Sequence, residues 1–143
     1  MASDLFIIKE HILPCSHIRE YPRATSSSQE DVLHLHIKQY TPRDNPDPQP
    51  GDLTIIGAHA NGFSKELYEP LWCDLHRSLA TRSTTTRTPS NHDKNPSANP
   101  RPLRIRGIWI ADVAHQGQSS LLNTSKPATT PPGTTTRATS SWS

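Results

Sequence analysis

The residues with the types and spacing for chemistry are His59, Ala60, Asn61, Gly62 and Phe63. They follow an apolar run, LTIIGA, and precede ELYEPLWCDL, from which Leu71, Trp72 and Leu75, continued by Leu79, recur at helical spacing. A buried strand that stops at a polar turn is where an open α/β sheet keeps its working loops. Such a turn can aim backbone N–H groups at an oxygen that gains negative charge during reaction. Gly62 lets the main chain bend where a Cβ would obstruct it. His59 and Asn61 can hold the turn by hydrogen bonds. The plain alternative is an ordinary strand-end turn with a satisfied buried histidine.

Two other groupings invite chemistry. Asp112, His115, Gly117 and Ser119 follow a second apolar run, Ile108-Trp109-Ile110. His34 and His36 form H-x-H on one strand face, a spacing that can bind zinc. That face otherwise holds Val32, Lys38 and Tyr40, and Lys38 would oppose a cation, so it reads as a solvated face. Nothing in the spacing calls for a metal or a cofactor.

The elements that must position these residues read as follows. Leu5 to Leu13 reads as a first strand ended by Pro14, with a connection through Pro22 and Ser26 to Ser28. Val32 to Tyr40 alternates, with Leu33, Leu35 and Ile37 expected on the buried face and His34, His36 and Lys38 on the wet one, as in a half-exposed strand near a sheet edge. Four prolines, Pro42, Pro46, Pro48 and Pro50, stiffen the next connection, and Pro50-Gly51-Asp52 signals a turn. LTIIGAHA does not alternate and reads as a strand buried on both faces. Phe63 to Glu69 reads as loop, Pro70 suits a helix's first turn, and the helix is expected to stop before the low-complexity stretch from Ser78 to Pro102. Leu103 to Asp112 reads as a second interior strand and Asp112 to Ser120 as its exit loop. A helix between two buried strands is a βαβ crossover with parallel pairing, and the pair in front of it makes the sheet mixed.

Composition narrows the function classes. The 143 residues are 31% hydrophobic and include 14 prolines, between a globular and a disordered chain. Setting aside 78–102 and 124–143 leaves about 100 residues to pack, near the low end for one core. A formal charge of +2, with scattered basic residues, argues against a nucleic-acid surface. Cys15 and Cys73 form no C-x-x-C, and Cys73 reads as a buried thiol in a reducing compartment. No stretch has the length of a membrane span, and neither terminus carries a secretory or S-K-L peroxisomal signal, so cytosol is the default.

The sequence resembles the first half of an α/β-hydrolase domain, in a fungal branch that includes peroxisomal lipase-like proteins and toxin-biosynthesis hydrolases. The resemblance rests on HIREYPRAT, GAHANGF, KELYEPLW and GIWIADVAHQGQS and covers residues 5–77 and 103–123. Family members show an H-G turn after the third strand and a D-x-x-G-x-G-x-S loop after the fourth. Here His115 stands where glycine is usual. The resemblance implies a fold that is the N-terminal half of an α/β hydrolase, over residues 1–123. It implies an oxyanion loop at His59, Asn61, Gly62 and Phe63, with the Phe63 N–H as donor. It also implies a small ester or lipid-like substrate for full-length relatives, for which a peroxisomal setting is open.

The family's nucleophile elbow needs Gly-x-Ser-x-Gly, yet no two of the six glycines are four residues apart. The expectation is a truncated hydrolase-like chain with part of an oxyanion hole and no triad of its own. The alternative is a non-catalytic interaction module on the half-fold. The tail after Asn123 is expected to be the family's next segment read in a shifted frame, since TTPPG one frame over yields N-D-S-S-W. An uninterrupted transcript frame across codons 120–126 would sink that reading.

Overall fold

The computed structural model describes residues 1–16, 25, 28, 30–84 and 103–125. Ala2–Leu5 forms a short helix, α1, followed by strands β1 (Phe6–Pro14), β2 (His34–Pro42) and β3 (Leu53–Ala58). A 3₁₀ turn at Lys65–Tyr68 leads into helix α2 (Glu69–Thr84), then β4 (Ile105–Ala111) and helix α3 (Gly117–Leu122). The four strands form one sheet in the order β1-β2-β4-β3. β1 with β2 and β2 with β4 are antiparallel, and β3 with β4 is parallel. The sheet is mixed, with α2 as its βαβ crossover.

The core lies on the α2 side of the sheet. Phe6, Tyr40, Ile108 and Ile110 are buried there against Trp72 and Cys73 of α2. Phe6 meets the Tyr40 and His76 rings edge-on, with centroids 6.0 and 5.4 Å apart. Gly57 is needed for close packing, because a Cβ there would stand 3.0 Å from the Trp72 ring and 3.3 Å from Ile110 Cδ1. The proline-rich connection is tied down by buried Asn45, whose Nδ2 donates to Ile105 O and Asp52 Oδ2. Gly51, at φ 94°, completes its turn.

Several expectations need correction. β2 is an interior strand, and its covered face carries His34, His36, Lys38 and Tyr40. The pattern misleads because the partners above this face are carboxylates. Lys38 Nζ lies 3.1 Å from Glu66 Oε1 and 3.6 Å from Glu69 Oε1. The Tyr40 hydroxyl donates to Glu69 Oε1 at 3.0 Å.

β3 is half-buried on one face, exposed on the other, and ends the sheet among the described residues, leaving Ile56 84% exposed. Helix α2 runs through Ser78 to Thr84, with the Thr81 hydroxyl bonded to Arg77 O. The expected loops at Phe63 to Glu69 and Asp112 to Ser120 contain the 3₁₀ turn and α3. Most of the connection through Pro22, the low-complexity stretch over 85–102 and the tail 126–143 lie outside the described residues.

Candidate functional site

The 59–63 turn leaves the carboxyl end of β3, and residues 112–116 leave the carboxyl end of its parallel neighbour β4. Parallel pairing therefore sets the two loops side by side, and the side chains knit them together. The Val113 N–H donates to His59 Nε2 at 3.1 Å, while His59 Nδ1 lies 2.9 Å from Ala60 O. Nε2 is thus the acceptor and Nδ1 carries the proton, so the ring is neutral, and its 3.9 Å approach to Asp112 Oδ1 is not an ion pair. With both nitrogens engaged, His59 braces the turn and offers no free base. The Gln116 amide does the same from above: its Oε1 accepts the Gly62 N–H at 3.1 Å, and its Nε2 donates to Asn61 Oδ1.

The backbone donors of the turn divide into used and unused groups. The Ala60 N–H donates to the Tyr68 hydroxyl at 3.0 Å, and the Phe63 N–H closes the turn on Ala60 O at 3.1 Å. Among the described residues the Asn61 N–H has no acceptor. Gly62 has φ 81°, a conformation that L side chains rarely adopt, and nothing lies within 4 Å of where its Cβ would be. The glycine serves backbone conformation, not close packing. The Phe63 side chain is more than half exposed.

Beneath the turn, Asp112 meets Lys65 and Glu66, which the sequence did not single out. Lys65 is fully buried, and its ammonium pairs with the Asp112 carboxylate and, at 3.2 Å, with Glu66 Oε1. Lys38, on β2, joins from the other side, so Asp112, Lys65, Glu66, Lys38 and Glu69 alternate in charge. Burial raises the Tyr40 hydroxyl above its ordinary value, and the Glu69 carboxylate adds to that. Burial opposes the charge on Lys38, but Glu66, Glu69 and Glu10 outweigh it and raise the ammonium's pKa. Burial likewise opposes the charge on Glu66, but its own backbone N–H and the Lys38 and Lys65 ammonium groups hold the carboxyl down at about 2.

This depression carries a sign. The contribution of Glu66 to stability is present above the carboxyl's ordinary value of 4.5 and is lost as pH falls towards about 2. The difference in urea midpoint between the natural chain and Glu66→Gln should be full above pH 4.5 and close on the way to about 2. A difference that does not change over that window would contradict the assignment.

Asp112, Gly117 and Ser119 owe their spacing to the start of α3. Asp112 Oδ2 accepts the Gln118 N–H at 2.9 Å. Gly117, at φ 53°, lies so close that a Cβ would run into the Asp112 carboxylate. The Ser119 hydroxyl donates to Asp112 O and accepts the His36 N–H, both at 2.8 Å. Gly-x-Ser after the aspartate therefore closes a buried turn, with His115 outside these contacts apart from a 3.5 Å approach to Gln116. His34 and His36 contribute backbone groups here, and among the described residues no three His, Cys, Asp or Glu side chains are placed to hold a metal.

No family model matches the chain. A type I acyl-CoA thioesterase of Penicillium roqueforti is 44% identical over 127 residues, which is 88% of this chain and 24% of that protein. Two type I acyl-CoA thioesterases of Penicillium brevicompactum are 42% and 40% identical over the same share of each. The chain thus spans about a quarter of the length of these relatives. The crystal structure of a peroxisomal α/β-hydrolase of Saccharomyces cerevisiae superposes with a TM-score of 0.56 at 17% identity, covering 89% of this chain and 29% of that one.

Proposed function

We propose, for a chain whose described residues form part of an α/β-hydrolase fold, that it is hydrolase-like and carries the oxyanion side of an acyl-transfer site. The observation that carries the reading is the clamped 59–63 turn at the carboxyl end of β3, held by Gln116 and Val113 at the end of β4. Two backbone donors fit the role. The Phe63 N–H would exchange Ala60 O for the substrate's oxygen, and the Asn61 N–H has no acceptor to give up among the described residues. Hydrogen bonds fixed before reaction stabilise an oxyanion because they need no reorganisation, and one donor is worth about 2.7–4 kcal/mol of barrier.

The names of the Penicillium relatives support an acyl thioester as the substrate of a full-length protein; the chemistry proposed for it is attack by a serine with a histidine base and a supporting carboxylate. The yeast hydrolase's name supports a peroxisomal setting for such relatives. This sequence holds no Gly-x-Ser-x-Gly to present the serine. The purified chain is expected to show no turnover of p-nitrophenyl or acyl-thioester substrates. Turnover that a serine-directed phosphonate abolishes would overturn the reading. The β3 edge, unpaired among the described residues, favours a second reading, that of an interaction module without catalysis.

A further inference from the structure

Asn61 and Gly62 form the chain's one Asn-Gly pair. The carboxamide carbon of an asparagine is open to attack by the backbone nitrogen of the next residue, and that neighbour decides how easily. Asn45, Asn95 and Asn99 precede proline, whose nitrogen has no proton to give up. Asn91 and Asn123 precede histidine and threonine, whose Cβ atoms crowd the approach. Asn61 precedes glycine, which has no Cβ and bends freely. Both residues of the pair are exposed and lie in a turn, so water reaches them.

One side chain holds both reacting groups. Gln116 Oε1 accepts the N–H of the nucleophile, Gly62, at 3.1 Å, and Gln116 Nε2 donates to the carbonyl oxygen of the electrophile, Asn61. For the ring to close, Gly62 N must give up its proton and the Asn61 carboxamide must swing over it. Attack therefore breaks the first hydrogen bond and displaces the second. Both bonds lie at the surface, so the clamp opens by local fluctuation while the sheet stays folded.

We propose that the Asn61–Gly62 pair is a self-modification site and that Gln116 is its guard. When the clamp opens, Gly62 N bonds to Asn61 Cγ, and its proton leaves with the carboxamide nitrogen as ammonia. Water then adds to either carbonyl of the resulting succinimide, and that carbonyl's C–N bond breaks. One product is aspartate. The other is isoaspartate, in which the main chain runs through the former side chain and is a carbon longer. Both put a carboxylate into the turn beside the Phe63 N–H. The loss of an oxyanion donor that would follow rests on the proposed function; the modification itself does not. In the test, the purified 143-residue chain is incubated at mildly alkaline pH. Mass spectrometry of its tryptic peptides follows, with the two acids separated by chromatography. Modification is expected at Asn61 and not at buried Asn123, slowly in the folded chain and faster in urea. Gln116→Leu should speed it about five- to tenfold, the factor carried by one hydrogen bond, while circular dichroism still reports a folded sheet. If Gln116→Leu unfolds, Gln116→Asn, one methylene short of both groups, supplies the folded comparison. Equal rates in the folded chain and in urea, no acceleration in a folded Gln116 variant, or modification of Asn123 as fast as that of Asn61 overturns the proposal. No acyl substrate enters the experiment, so the oxyanion reading stands or falls separately.

Discussion

Asp112→Ala is expected to cost about 3–5 kcal/mol of folding stability, the usual loss when one partner of a buried ion pair is removed. The geometry makes the loss unequal between the partners. Lys65 is fully buried, and without Asp112 its ammonium keeps only the Glu66 carboxylate, which Lys38 shares. The same substitution strips the part-buried Gln118 N–H and the buried Lys65 N–H of their acceptor. Lys65→Met removes the buried cation, and Asp112 still accepts those two N–H groups, so its cost should be smaller, about 1–3 kcal/mol. The core cannot absorb the larger loss, because only nine apolar residues besides Pro42 are buried among those described. Urea unfolding followed by circular dichroism and tryptophan fluorescence compares the two. Asp112→Ala should be largely unfolded in buffer while Lys65→Met keeps a transition, and the reverse order would refute the account of the network.

The strands were legible in the sequence because their apolar runs are long and bounded by turn residues. LTIIGA and IRGIWIA could only be neighbouring strands with a helix between them, and the parallel pairing follows from that order. The 59–63 turn was legible for the same reason, since it lies where one of these runs stops. The face of β2 was not legible. A period-2 pattern says that two faces differ, not which one is covered, and here the lysine-bearing face is covered because Glu66 and Glu69 descend on it from the crossover. The burial of Lys65 left no local signal, for its partner Asp112 is 47 residues away. α3 was hidden because a six-residue helix opening on glycine and two serines lacks both propensity and an apolar stripe.

Asn123→Ala should be nearly as damaging as the loss of Asp112, because Asn123 takes the place of a strand. The β2–β4 ladder ends at the pair Ile37 and Ala111, yet β2 continues back to His34 with one edge facing α3. The Asp112 N–H reaches His36 O at 3.0 Å, and the Ser119 hydroxyl accepts the His36 N–H. Two positions further, the Asn123 carboxamide accepts the His34 N–H and donates to His34 O, both at 2.8 Å. It repeats with a side chain what a backbone amide of β4 would do. The same NH₂ reaches Ala114 O and Ser119 O at 2.9 and 2.8 Å, so it also ties the exit loop to the helix. Truncation leaves a donor and an acceptor of β2 unpaired beside a residue only 4% exposed, a cost of about 1–3 kcal/mol for each such group. Asn123→Asp separates the two halves of this role. It keeps an acceptor for the His34 N–H but turns a carboxylate oxygen towards three carbonyl oxygens, so at neutral pH it should be no better than alanine. Amide hydrogen exchange gives the local readout. The His34 N–H should lose protection in the alanine variant and keep more of it in the aspartate variant, while the β3–β4 amides change only with global stability. Equal protection of the His34 N–H in all three proteins would show that α3 does not complete the ladder.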